Sequence, residues 1–147
     1  MKKGSFSRAR KSFSGEEDFF QDHFPGRPLV PETILIEMIA QAGGVLLGLE
    51  MDFKKEVILA KIAEARFAEA VSPPCTLVVE ARIAEAREEG AWIEGTVLCG
   101  GKTAARTRLL LVTMEALDKE KGPVVFSDGF LKNLNVYEVV RQSEGLS

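Results

Sequence analysis

From position 34 to position 47 the chain is apolar almost without interruption, broken only by Glu37, Gln41 and the Gly43-Gly44 pair. A helix of that composition has no clear polar face, so it is a helix surrounded by other protein. Pro31 suits its first position, where a missing N–H costs nothing, and Glu32 follows where the helix dipole favours negative charge. Ala40, Ala42, Gly43 and Gly44 admit close approach of neighbouring backbone, in spite of glycine's helix penalty.

The second half of the chain supplies what surrounds that helix. Val57-Ile58-Leu59-Ala60 reads as a short buried strand, and Ser72-Pro73-Pro74 breaks the chain after Val71. Three longer segments follow, Thr76 to Arg87, Ala91 to Cys99 and Lys102 to Glu115, separated by the hairpin signals Glu88-Glu89-Gly90 and Gly100-Gly101. The first contains helix formers (Glu80-Ala81-Arg82, Ala84-Glu85-Ala86), yet Leu77, Val79, Ala81 and Ile83 alternate onto one face, which makes it a strand. Residues 5–14 read as an edge strand, followed by an acidic turn at Ser14-Gly15-Glu16-Glu17-Asp18. The expected architecture is α+β, a long central helix wrapped by an antiparallel sheet.

One domain is expected over 1–117. A C-terminal extension, 118–147, follows a solvated connector at Lys119-Glu120-Lys121-Gly122-Pro123. Ser127-Asp128 would cap a short helix there carrying Phe130, Leu134, Tyr137 and Val140, docked on the same domain or on a partner chain.

Charge and composition exclude several functions. A net charge of -3 over 147 residues provides no basic field for nucleic acid, and the aromatics are not interleaved with a basic run. Lys2, Lys3, Arg8, Arg10 and Lys11 are better read as a solvated terminus than as a docking patch. No apolar run reaches membrane-spanning length, and the start lacks a secretory signal, so a cytoplasmic protein is expected. Cys75 and Cys99 lack ligand spacing, and with a single histidine there is no plausible metal set; buried reduced thiols are the expectation. Gly100-Gly101-Lys102-Thr103 resembles the end of a phosphate loop, but Thr96 stands where that loop needs glycine and the segment joins two strands. No Gly-x-Ser-x-Gly elbow is present.

Two side chains remain as candidates for chemistry. His23, the only histidine, sits in His23-Phe24-Pro25-Gly26-Arg27-Pro28, a turn stiffened by two prolines and flanked by phenylalanines. By frequency a lone histidine near aromatics is a packing or surface residue; a ring held in one orientation within low dielectric is instead a usable neutral base. Glu37 is a lone carboxyl inside a segment that otherwise looks buried, so it must pair, protonate or face a polar cavity. It is either an ion-pair partner of Lys61, Arg66 or another cation, or a general acid that Gln41, one turn on, orients by hydrogen bond.

The run Phe19-Phe20-Gln21-Asp22-His23-Phe24-Pro25-Gly26-Arg27-Pro28-Leu29-Val30-Pro31, followed by Glu37-Met38-Ile39-Ala40-Gln41-Ala42-Gly43-Gly44, closely resembles the FabA/FabZ-type 3-hydroxyacyl-[acyl carrier protein] dehydratases. Weaker similarity continues through Ala65-Arg66-Phe67 and the three long strands to about Glu115. The resemblance implies a hot-dog fold, and a dimer or trimer of dimers in which His23 of one protomer faces Glu37 of another. It implies elimination of water from a (3R)-3-hydroxyacyl thioester, carried by acyl carrier protein or coenzyme A, to a trans-2-enoyl thioester. His23 would take the α-proton and Glu37 would protonate the departing hydroxyl. Phe24, Pro31, Glu32 and Gln41 would line the substrate, with no metal or cofactor. The alternatives are a hot-dog thioesterase and a catalytically weak acyl-thioester-binding subunit.

The chain departs from the family pattern at Glu32, where glycine is usual and where a side chain adds bulk and negative charge beside an intended oxyanion. It also lacks the usual N-terminal strand, carries Ser72-Pro73-Pro74 in place of a Pro-Gly turn, and has a tail without counterpart. That tail is a candidate to replace the missing N-terminal packing.

Overall fold

A computed structural model describes residues 6–51, 54–114 and 140–142. Strand β1 (Phe6–Phe13) leads through a short 3-10 helix (Asp18–Gln21) to helix α1 (Glu32–Glu50). Four long strands follow, β2 (Glu56–Phe67), β3 (Cys75–Arg87), β4 (Gly90–Cys99) and β5 (Lys102–Met114), then a short β6 (Val140–Gln142). They form one antiparallel sheet in the order β2-β5-β4-β3-β1-β6 with α1 on its inner face. This is the expected helix-and-sheet arrangement.

Strict alternation builds the core. In β3 the buried side chains are Leu77, Val79, Ala81 and Ile83; in β4 and β5 they include Ile93, Val97, Leu109 and Leu111. Alternation therefore outweighs the helix propensity of 80–86, because packing an apolar face decides what weak local preference does not. From α1, Ile39, Leu46 and Leu47 are fully buried, each contributing about 1.5–3 kcal/mol.

A row of small residues lets the helix come close. Ser7, Ala81, Gly95 and Thr107 lie side by side across four strands. Ser7 Oγ donates to the Ala42 carbonyl at 3.1 Å, and a methyl group added at Gly95 would overlap Ile39. Gly43 makes the reciprocal approach from the helix: a methyl there would stand 2.8 Å from Ile93. The hairpins are as expected. Glu88-Glu89 joins β3 to β4, and Gly100 (φ 58°) with Gly101 (φ 80°) joins β4 to β5, the double positive φ that a type I′ turn requires.

Several expectations need correction. The short buried strand at 57–60 is the beginning of a twelve-residue strand, β2, whose side chains from Ile58 to Arg66 are all exposed. It is the sheet's outermost strand on that side, and among the described residues no strand pairs with its outer edge. β1 is not an edge, because β6 pairs with its outer side, Phe6 opposite Gln142 and Arg8 opposite Val140. β6, three residues from the C-terminal part of the chain, is therefore the edge on that side among the described strands. Val140 stands in that strand rather than in a tail helix; Phe130, Leu134 and Tyr137 lie outside the described residues.

Cys75 and Cys99 are half-buried free thiols rather than core residues, since they sit where β3 begins and β4 ends. Finally, α1 itself is nineteen residues long with mean hydropathy 1.4, long and apolar enough to cross a membrane by length and composition. Ten of the nineteen are nevertheless buried, packed against the sheet.

Candidate active site

The loop that carries His23 is pinned at both ends. On the entering side Phe20 is buried, and Phe13, Phe19 and Phe20 pack together with ring centroids 4.4 to 6.1 Å apart. The preceding turn is closed by Glu17, whose carboxylate accepts from the Ser14 and Gly15 N–H groups at 2.9 Å. Those bonds, led by that from Ser14, hold its pKa below the usual value. On the leaving side Val30 is buried and its N–H donates to the Val71 carbonyl at 2.7 Å.

Between these anchors the backbone folds on itself. Phe24 and Arg27 exchange two backbone hydrogen bonds of 3.1 and 2.9 Å around Pro25-Gly26, with Gly26 at φ 74°. His23 N–H donates to Phe19 and its carbonyl accepts from Leu29. The peptide between His23 and Phe24 is cis. The proline-stiffened turn is thus present, but its low-dielectric surroundings are not. Phe19 and Phe20 turn inward to Phe13, and among the described rings Phe24 alone stands against the imidazole, edge-on at 5.7 Å, and is itself 53% exposed. His23 is exposed.

Pro31 is the residue before α1, with φ -57° and ψ 142°, one position earlier than expected. It caps without a side-chain bond, and its carbonyl accepts from Ile34 and Leu35. The N–H groups of Glu32 and Thr33, first in the helix, have no intrahelical acceptor by geometry and point along the positive end of the dipole. Glu32 is exposed there.

Glu37 sits on the flank of α1 that turns away from the sheet. It is exposed, contrary to its expected burial, because the helix buries one broad face and leaves Thr33, Glu37 and half of Gln41 outside. Gln41 Nε2 donates to Glu37 Oε1 at 3.0 Å, the i,i+4 bond that orients the carboxylate. The described residues show no ion pair from Glu37 to Lys61 or Arg66; Arg66 instead meets Glu64. Within one chain His23 and Glu37 are not hydrogen-bonded to each other, and both face outward.

What the sequence did not reveal is the surface beside them. Leu59 and Ile62 lie opposite the inward-facing Leu111 and Leu109 and are 38% and 45% exposed, while Ile36 and Ala40 of α1 are half-buried. Two register shifts, between Leu59 and Lys61 and between Ile62 and Glu64, interrupt the alternation that would have marked this strand. Among the described residues no group of three His, Cys, Asp or Glu is placed to hold a metal. Burial, then the neighbouring Cys99 and Glu17, pushes the Cys75 thiol up, against a thiolate role.

Comparison with known proteins places these residues in a lineage. The chain matches the FabA-like domain over residues 1–108. It is 37% identical over 109 residues to the 3-hydroxyacyl-[acyl-carrier-protein] dehydratase FabZ of Hydrogenobaculum sp. (strain Y04AAS1), covering 71% of this chain and 73% of that one. Among solved structures it resembles Thermus thermophilus hypothetical protein TTHA0967, a thioesterase superfamily member (TM-score 0.67, 16% identity, 78% of this chain and 84% of that one). It also resembles the dehydratase heterocomplex ApeI:P from Xenorhabdus doucetiae (TM-score 0.57, 17% identity, 74% and 88%). The structural likenesses establish the hot-dog fold, and the sequence matches establish the lineage: this chain belongs to the FabA-like family, with the FabZ dehydratases as its relatives.

Proposed function

We propose that His23 and Glu37, from two protomers, carry out the dehydration of 3-hydroxyacyl thioesters on acyl carrier protein, the fatty-acid biosynthetic activity of the family. The observation that carries this reading is the match over 1–108, which spans both the His23 loop and the Glu37 helix. His23 takes the proton from the α-carbon, acidified by the thioester; the C3–O bond breaks as Glu37 delivers a proton to the departing hydroxyl; water leaves and C2=C3 forms. Negative charge on the thioester oxygen meets the free N–H groups at the start of α1. Phe24, Pro31, Glu32 and Gln41 border the substrate.

The outward orientation of both side chains fits a site completed by a second protomer. Joining two copies through the edge of β2, unpaired among the described residues, and the flank of α1 would cover Leu59, Ile62, Ile36 and Ala40 and give both groups a dry surrounding. The dimer, its further assembly into a hexamer, a cytoplasmic setting and a domain boundary near 117 belong to this proposal. Ile62→Glu should yield a monomer by sedimentation and lose dehydration, while the wild-type chain sediments as a dimer or larger.

Incubation with a 3-hydroxyacyl thioester on carrier protein tests the reaction. Enoyl thioester is the expected product; free thiol would indicate a thioesterase, and neither would indicate a binding subunit. Glu32→Gly should raise kcat about three- to tenfold by removing a negative charge beside the developing oxyanion. An unchanged or lower kcat would show that the Glu32 side chain does not face the thioester oxygen.

A further inference from the structure

The outer face of the sheet, turned away from α1, carries cationic groups that dehydration does not use. Along one cross-strand line Thr96 of β4 lies opposite Arg106 of β5, and Arg106 lies opposite Arg66 of β2. Like charges directly opposite in an antiparallel pair are destabilising.

The neighbouring line is arranged differently. There Glu94 accepts from both Arg82 and Arg108, Arg82 above all holding its carboxyl below the usual range. On the first line Glu80 lies opposite Thr96 on its other side and is reached by Arg8 at 3.5 Å, and Arg66 reaches Glu64 along its own strand. Among the described residues no carboxylate pairs with Arg106. On these two cross-strand lines Arg8, Arg66, Arg82, Arg106 and Arg108 are set against Glu64, Glu80 and Glu94, five positive charges to three negative, in a chain whose net charge is -3. A cavity of about 600 Å³ lies over these lines, with Arg66, Thr96, Arg106 and Arg108 in its wall.

We propose that Arg106 and Arg66, with the Thr96 hydroxyl, form a binding site for one free oxyanion of the phosphate class. Planar guanidinium forks match such an oxyanion bidentately, and an anion seated between the two arginines converts their repulsion into two charge-assisted contacts. The surrounding glutamates limit the cationic area to a single group, so a long polyanion laid across the face would meet carboxylates. The site lies on the sheet face opposite α1, and its outcome is independent of the dehydratase reading.

Calorimetric titration of the full chain with inorganic phosphate and with pyrophosphate, at constant ionic strength, tests it. Saturable one-to-one binding is expected for the wild type and for the control Arg87→Gln, weakened about tenfold or more in Arg106→Gln. Phosphate should raise the unfolding temperature of the first two proteins more than that of Arg106→Gln, a comparison that cancels the general stabilisation phosphate gives any protein. Absence of saturable heat, equal binding by Arg106→Gln, or tighter binding of an acidic peptide than of phosphate would overturn the proposal. So would a raised KM for the thioester substrate in Arg106→Gln, which would assign the site to the substrate instead.

Discussion

Dehydration should fall by about 10² to 10⁴ in both His23→Ala and Glu37→Gln, each variant keeping its fold, because each removes one of two proton transfers. Both side chains are exposed in the single chain, so neither substitution disturbs the core, and circular dichroism with sedimentation should match the wild type. The stronger test is complementation. If His23 of one protomer works with Glu37 of its partner, a mixed dimer of the two inactive variants has one site lacking both groups and one site intact. Unfolding and refolding an equal mixture should therefore restore about a quarter of wild-type activity, half of the dimers being mixed and half of their sites whole. If both groups came from one chain, every site in every dimer would lack one of them and the mixture would stay inactive. Enoyl formation followed by ultraviolet absorbance gives the readout, and a dead mixture would sink the cross-protomer site.

How much of this was legible in the sequence depends on which face a residue serves. The inward faces were readable. The alternation of Leu77, Val79, Ala81 and Ile83 placed β3 against its helix-forming composition, and the Gly100-Gly101 pair announced its turn, because each of those signals is local and repeats within a few residues. The His23 turn was readable for the same reason, its prolines and Gly26 fixing backbone that the structure closes with hydrogen bonds between Phe24 and Arg27.

The surroundings of the candidate site were not readable. Glu37 stands in a run so apolar that burial was the natural inference, yet one flank of α1 is left open. A run surrounded by protein reads the same whether the neighbour is the chain's own sheet or a second copy. β2 was largely missed because two register shifts scramble its alternation and leave its apolar residues Ile58, Leu59 and Ile62 exposed. The direction in which Phe19 and Phe20 would turn was fixed by Phe13, a contact made across the intervening turn that no spacing rule announces.

Gly95 is where fold and candidate site meet, and Gly95→Val should cost about 3 kcal/mol or more, lowering the unfolding temperature by on the order of 10 °C. The side chain would be driven into Ile39, which is fully buried at the middle of α1 and has no room to retreat. The turn glycine Gly100 is a contrast, since a Cβ there meets nothing within 4 Å and Asn tolerates its φ of 58°, so Gly100→Asn should change stability by less than about 1 kcal/mol. Pairing Gly95→Ala with Ile39→Ala identifies the cause. Each single change is destabilising, one by overlap and the other by a cavity, and the double variant should be more stable than their sum by about 0.5–3 kcal/mol because the new methyl occupies part of the space Ile39 vacates. Additive losses would show that the cost arises in the strand rather than at the helix. The consequence extends to chemistry, since Ile39 lies two residues from Glu37 on the same rigid helix. Lifting α1 off the row of Ser7, Ala81, Gly95 and Thr107 moves the carboxylate with it, and a displacement of about 1 Å is enough to cost on the order of a hundredfold in rate. Gly95→Ala should accordingly lose kcat at a temperature where it is still fully folded, while Gly100→Asn keeps both stability and rate.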